Sequence, residues 1–557
     1  MPQPAPGPDD SELLRRMQEL ERRVARLEQR FEPAPLAAAG PGSAAGPVRT
    51  AWSEGSRAVP ALGRALLGMA GAYGLRALSE SHTVPRWAGV FSAILYASAW
   101  LVWAARTPAA RRTEAALYSL TSALVLGPVV WEATLRFRAI SSRTAAVILF
   151  SFTVFAWLIS WRKNYRLVAT VATCASLFTT LLLLILSHDV MPFLFLLMAI
   201  AVVVEIAGCL DHGLGARWLA AAAADLAVLL ATYLAATPGS LPETYAPIPK
   251  LPLLAAQIAL PGIYLSSTIA RTLTRHSTFT IFEAGQLAIA FLLALGGGLR
   301  LADSPVVVAA LAVFLLGCGV ACYTAGFLSQ AGVHRTYLVF GFVLLAAGSR
   351  MALSGEWAVA AWSGLAIACI SMRRPALLWH GSGYLLLALG LSGALAHATE
   401  ALLGSADGRA GFASLLAGTA LALLCRVLLI PQRAAHSLLP RLVTGAAFWL
   451  AAGLAAALLT GSYHRLFGAV ASHAYCATLR TAVLAAGALL LAWAGSLWNH
   501  PELSPLVYPL MVLGAYRLLL VDLRQESKTA MVFSLLFYGV TLILLPRSMK
   551  PRQTAAR

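Results

Sequence analysis

Charge is what this sequence has least of. Only 12% of its 557 residues are Asp, Glu, Lys or Arg, against 59% apolar, a balance that argues against a soluble protein of several domains. Acidic residues are the scarcer sign, 24 against 42 basic. The resulting +18 would suggest nucleic acid in a soluble chain. Here the arginines sit in short connections between apolar stretches and form no contiguous basic face with interleaved aromatics, so nucleic acid is not an expected partner. Cysteine is sparse: Cys174, Cys209, Cys318, Cys322, Cys369 and Cys425 lie in or beside apolar stretches as small apolar residues, and Cys476 stands near a loop. No disulfide framework follows from that distribution. GxxxxGK[ST], GxSxG and HExxH are absent, and GCGVAC at 317–322 lacks the spacing of a dinucleotide loop. His464, His473 and Cys476 lack a fourth ligand. No metal and no cofactor are therefore expected, and ATP-driven pumping by this chain alone has no motif behind it.

What fills the chain instead is a succession of apolar stretches from Val59 to Leu545, each near the roughly 20 residues that cross ~30 Å of hydrocarbon. The expected fold is all-α: a polytopic transmembrane helical bundle of about 18 spans over residues 59–546, with a short N-terminal coiled-coil helix on the cytoplasmic side. Residues 1–10 read as a disordered tail and 547–557 as a basic cytoplasmic tail. In the segment 11–31, Leu13, Met17, Leu20, Val24, Leu27 and Phe31 alternate by four and three, an a/d seam of about three heptads. Tethered in a common membrane, such a seam favours a homo-oligomer or a protein partner. A solvated amphipathic helix, or one lying on anionic headgroups, is the competing reading. Residues 32–58, rich in Pro, Ala and Gly, form a linker spanning roughly 30 Å on average.

Assigning the breaks alternately to the two sides places RTPAARR (106–112), WRKNYR (161–166), RTLTR (271–275) and the C-terminal tail together. By the bias of Lys and Arg toward the cytoplasm, that side is inside and both termini are cytoplasmic. One loop resists: RFRAISSR (136–143) is basic yet falls outside.

Charges inside hydrocarbon are costly and mark candidate sites. Glu205 interrupts MAIAVVVEIAGCL and Asp225 interrupts AAAADLAVLLA; counted from a turn near Gly213, they lie roughly 12 Å and 18 Å along their helices. At similar depth they are a candidate intramembrane proton or cation site, because two nearby carboxylates repel when both are ionised. Arg271, Arg275 and His276, beside Glu283 and Gln286, form a candidate anion or headgroup cluster at a span end. Arg76, Arg300, Arg350 and Arg517 lie near span ends where long side chains reach the interface by snorkelling. The glycines at 68, 71, 74, 296 to 298, 341 and 348 read as packing sites, since small residues let backbones approach in lipid.

Several of these segments together carry a resemblance. The N-terminal Leu/Arg/Glu helix and Pro/Ala linker precede GRALLGMAGAYGLRALSESHTVPRWAGV (63–90), with spaced glycines and a basic residue before a polar turn. The chain closes on YRLLLVDLRQESKTAMVFSLLFYGVTLILLPRSMK (516–550), in which Arg517 stands five before Asp522. These features resemble the DUF2339 family of bacterial polytopic membrane proteins. Arg517 occupies a position that is usually Lys in that pattern, and the middle spans match only in their Ala/Leu character. The resemblance implies a multi-pass protein of the bacterial inner membrane and brings no reaction with it.

The functional expectation is a transporter or a lipid or envelope-component handling protein with proton coupling, its substrate unread, in contact chiefly with the lipid bilayer. The alternatives are a scaffold that recruits partners through residues 11–31 and a membrane-embedded transferase acting on a lipid-linked substrate. An enzyme is the less favoured of these.

Overall fold

The computed structural model describes residues 85–108, 111–210, 215, 217–236, 245–275, 277–329, 331–404, 411–429, 438–468, 472–497, 503–524 and 527–548, together with positions 63, 67, 68, 70 and 71. The expected tail 1–10, coiled-coil helix 11–31 and linker 32–58 lie outside the described residues. So do Arg76, Gly74, His276 and the tail beyond 548.

An apolar chain in hydrocarbon must satisfy its own backbone, and the helix does so within each segment. The described residues contain eighteen α-helices and no strand. The first nine are α1 (Arg86–Arg106), α2 (Arg112–Leu135), α3 (Ser142–Lys163), α4 (Arg166–Leu186), α5 (Val190–Cys209), α6 (Arg217–Ala236), α7 (Lys250–Arg275), α8 (Ile281–Leu301) and α9 (Pro305–Leu328). There follow α10 (Ala331–Ala352), α11 (Gly355–Ser371), α12 (Pro375–Leu391), α13 (Ala394–Leu403), α14 (Phe412–Leu424), α15 (Leu438–Phe467), α16 (His473–Leu497), α17 (Ser504–Leu520) and α18 (Lys528–Ser548).

Thirteen of these helices are long and apolar enough to cross a membrane, or fourteen if the bent pair α12 and α13 is one span. The expectation of about 18 is thus not reached among the described residues. Besides α10, four helices in the middle of the chain fall outside the thirteen. α11 has 17 residues; α12 and α13 meet at 61°; α14 has 13 residues and runs into a π-helical turn, Cys425–Leu429. The bend follows from Gly393, whose φ of 74° lies in the left-handed region that ends an α-helix and that side chains resist.

Small residues set the close approaches. A Cβ at Gly348 would lie 3.0 Å from the Leu316 backbone nitrogen and 3.1 Å from the Ala312 carbonyl oxygen, and one at Gly341 would lie 3.2 Å from the Gly319 carbonyl oxygen. α9 and α10 therefore touch backbone to backbone, as expected where lipid offers no hydrophobic drive for association. Gly298 meets Leu311, whereas Gly296 faces open space, so packing explains two of the three glycines at 296 to 298 only if Gly297 is counted with the site below. The buried side chains form one core from Ala97 to Leu344, a second from Trp362 to Ala457 and a third from Leu402 to Leu545.

Candidate functional site

Antiparallel succession brings the C-terminal ends of α5 and α7 beside the N-terminal ends of α6 and α8. Four charged side chains meet at that end. Arg217, the first residue of α6, grips Glu205 of α5 with two parallel bonds, Nε to Oε1 and Nη2 to Oε2, both 2.7 Å. Its remaining nitrogen, Nη1, donates to Glu283 Oε1 of α8 at 3.0 Å. Arg271 of α7 pairs with the same Glu283 oxygen, and the Ser267 hydroxyl, one turn earlier, donates to Glu205. Glu283 is held in place by its own helix start: it accepts from the Thr280 N–H at 3.0 Å while Thr280 Oγ1 accepts from the Glu283 N–H at 3.3 Å, a reciprocal cap. The bidentate fork that Arg217 presents suits a buried carboxylate better than a lysine would.

One turn further into the bundle, Gln286 Nε2 donates to both carboxylate oxygens of Asp225, at 3.1 and 2.9 Å. The Tyr264 side chain of α7 is buried beside this pair. Deeper still, Gln257 Nε2 donates to Thr232 Oγ1 at 2.7 Å, and Gly297 leaves the room that the Gln257 amide occupies.

These side chains form a line. At 100° per residue, Arg217, Asp225 and Thr232 fall within about 80° of one another on α6, and Gln257, Tyr264, Ser267 and Arg271 do so on α7. The α6 line runs about 22 Å at 1.5 Å per residue, most of the way across a ~30 Å hydrocarbon layer.

The charges do not close in pairs. Two arginines offset two glutamates, and Asp225 is left with an amide for a partner. Among the described residues in this seam it is the one carboxylate without a cation in contact. Of the two acids singled out in the sequence, Glu205 is paired with Arg217 and Asp225 with Gln286. Three members of the second candidate cluster stand in the same network. Arg271 and Glu283 join it through their pairing, Gln286 through Asp225, while Arg275 is exposed and His276 is outside the described residues.

Arg217 escaped the sequence reading because it sits in a short connection and looks like a topology signal. Tyr264, Ser267 and Gln257 escaped because each alone is ordinary. Their spacing of seven, three and four along α7 was the available signal.

A second buried polar centre lies at the other end of the chain's helices. Arg517, 1% exposed, does not snorkel, which corrects the expectation for that residue; Arg300 and Arg350 are exposed. Arg517 Nη1 donates at 2.6 Å to the Leu402 carbonyl, and Arg480 donates to the Gly404 carbonyl. Arg517 thus sits on a last-turn carbonyl of the short helix α13 and Arg480 on the carbonyl just past its end, where a helix leaves acceptors unpaired and its dipole is negative. Asp522 accepts from Thr481 Oγ1 at 2.6 Å beside them. The spacing of five between Arg517 and Asp522 works here because a 3-10 turn, Asp522–Arg524, follows α17. Where the end of α15 meets the start of α16, Cys476 Sγ and His464 Nε2 are 3.4 Å apart, and no group of three metal-ligating side chains occurs among the described residues.

Thirteen helices of membrane-crossing length and apolarity mark the chain as a multi-pass integral membrane protein. No family model, curated protein or solved structure matches the chain.

Proposed function

We propose that the chain is a proton-coupled transporter, moving a solute or envelope component with Asp225 as the group that takes up and releases the proton. The observation that carries this reading is the position of Asp225: a buried carboxylate partnered by an amide, midway along a polar line that ends at an arginine–glutamate cluster. A charge without a counter-charge at membrane depth is costly to keep ionised and cheap to neutralise by a proton. The bent pair α12 and α13 supports the same reading, because broken helices in transporters line paths that a straight span cannot.

In this reading the protein lies in a bacterial inner membrane with both termini cytoplasmic, the Arg217 cluster opens toward the cytoplasm, and the DUF2339 resemblance extends over the whole architecture. The seam Leu13 to Phe31 holds copies together while transport proceeds in the bundle.

Asp225→Asn, shown to be folded by gel filtration and thermal melting, should fail to restore the phenotype of a deletion strain, and Asp225→Glu should restore it. An infrared carboxyl band that titrates with pH in the wild type should vanish in Asp225→Asn. Full restoration by the Asn variant ends this proposal.

A further inference from the structure

At the end of the bundle opposite the Arg217 cluster, a groove of about 790 Å³ opens between α3, α5 and the start of α7. It falls within the roughly 300–1,000 Å³ of sites that hold small ligands. Its walls are apolar, and two of them, Val147 and Phe195, are exposed on the outer surface of the bundle. The groove therefore opens sideways, toward where acyl chains lie. Pro247 and Pro249, in the non-helical stretch before α7, also line it. Proline has no N–H to leave unsatisfied, which makes the non-helical stretch before α7 tolerable against an apolar occupant.

Two side chains of opposite charge stand among these walls, Arg143 and Asp189. Neither forms an ion pair among the described residues. Arg143 lies in the first turn of α3, where a cation is disfavoured by the helix dipole, and it ends the basic loop that contradicts the inside bias of positive charge. Asp189 sits at the N-cap of α5, yet its carboxylate accepts no capping hydrogen bond. The rim that carries it is built: the Ala246 N–H donates to the His188 carbonyl at 2.9 Å, and the His188 ring meets Tyr245 edge-on at 4.6 Å. His188 itself adopts a left-handed φ of 58° in the loop that precedes Asp189 on the groove wall.

We infer that this groove binds a phospholipid with a phosphoethanolamine headgroup, its phosphate on Arg143, its ammonium on Asp189 and an acyl chain along Phe150 and Phe195. Charge complementarity selects the occupant: an anionic lipid satisfies Arg143 and is repelled by Asp189, whereas a zwitterion satisfies both. The basic outer loop is then a headgroup contact and no longer an exception to the orientation. The site does not depend on Asp225 or on transport.

The test uses the full chain in nanodiscs of equal phosphatidylethanolamine and phosphatidylglycerol, extracted and counted for bound lipid by native mass spectrometry. Wild-type protein should retain phosphatidylethanolamine over phosphatidylglycerol by about tenfold, the value of one charge-assisted contact. Asp189→Asn should erase that preference, Arg143→Ala should lower retention of both lipids, and Ala199→Trp, which narrows the groove, should lower both as well. Arg143 is exposed, so its variant tests the site without disturbing the core. Equal retention of the two lipids by the wild type, a preference unchanged in Asp189→Asn, or undiminished retention in Arg143→Ala overturns the assignment.

Discussion

Glu205 and Asp225 look alike along the chain, each an acid inside an apolar run, and their partners separate them. Glu205 is buried and clamped by two bonds from Arg217, so Glu205→Ala leaves a half-buried guanidinium half-paired. That change should destabilise the protein by roughly 3 kcal/mol, read as a lowered melting temperature in detergent. Asp225→Asn keeps an acceptor for Gln286 and should cost less than about 1 kcal/mol while removing function. Equal melting losses in the two variants would make both acids structural. Arg517 offers a third comparison. Because it bonds the end of α13 from inside the bundle, Arg517→Met should cost about 1–3 kcal/mol by stranding carbonyls, and Arg350→Met, at an exposed position, should cost nearly nothing. A tolerant Arg517 would restore the snorkelling account.

At the scale of elements, helices were legible because composition and length decide them. Apolar runs of membrane length have no other way to satisfy their backbones. Rotation about each axis was less legible, since in lipid an apolar face points outward as readily as inward, and the 3.6-residue pattern that marks a buried face in water is blurred. The glycines show the difference. Gly348 and Gly296 read the same in sequence, but a side chain at Gly348 meets the backbone of α9 and one at Gly296 meets nothing. Gly348→Leu should force α9 and α10 apart at a cost of about 1–3 kcal/mol, seen as a lowered melting temperature, with Gly296→Leu near wild type. The bend between α12 and α13 was invisible for a related reason: its residues are as apolar as any span, and a single left-handed glycine decides it.

At the scale of the whole molecule, the proposed orientation makes a direct prediction. In a background without native cysteines, a cysteine in the 106–112 connection should resist an impermeant maleimide added to intact cells, and one at position 461 should react; the reverse pattern inverts the topology. Removal of residues 1–58 should reduce the oligomer measured by mass photometry if the Leu13 to Phe31 seam joins copies, and an unchanged mass would leave the helix as a solvated or headgroup-bound one.

The amino-acid sequence by itself determined that this is a helical membrane protein, because hydrocarbon admits few structures and the composition names the solvent. It also picked out the acids worth examining, because a charge amid Leu and Ala stands out without any structure. Tertiary structure alone decided who neutralises whom. Arg217 reaches Glu205 across a hairpin and Glu283 across 66 positions, and which helix lies beside which is a property of packing that no local spacing contains. Helix packing left Asp225 without a cation and brought Arg143 and Asp189 to one groove, the two facts on which the functional proposals rest.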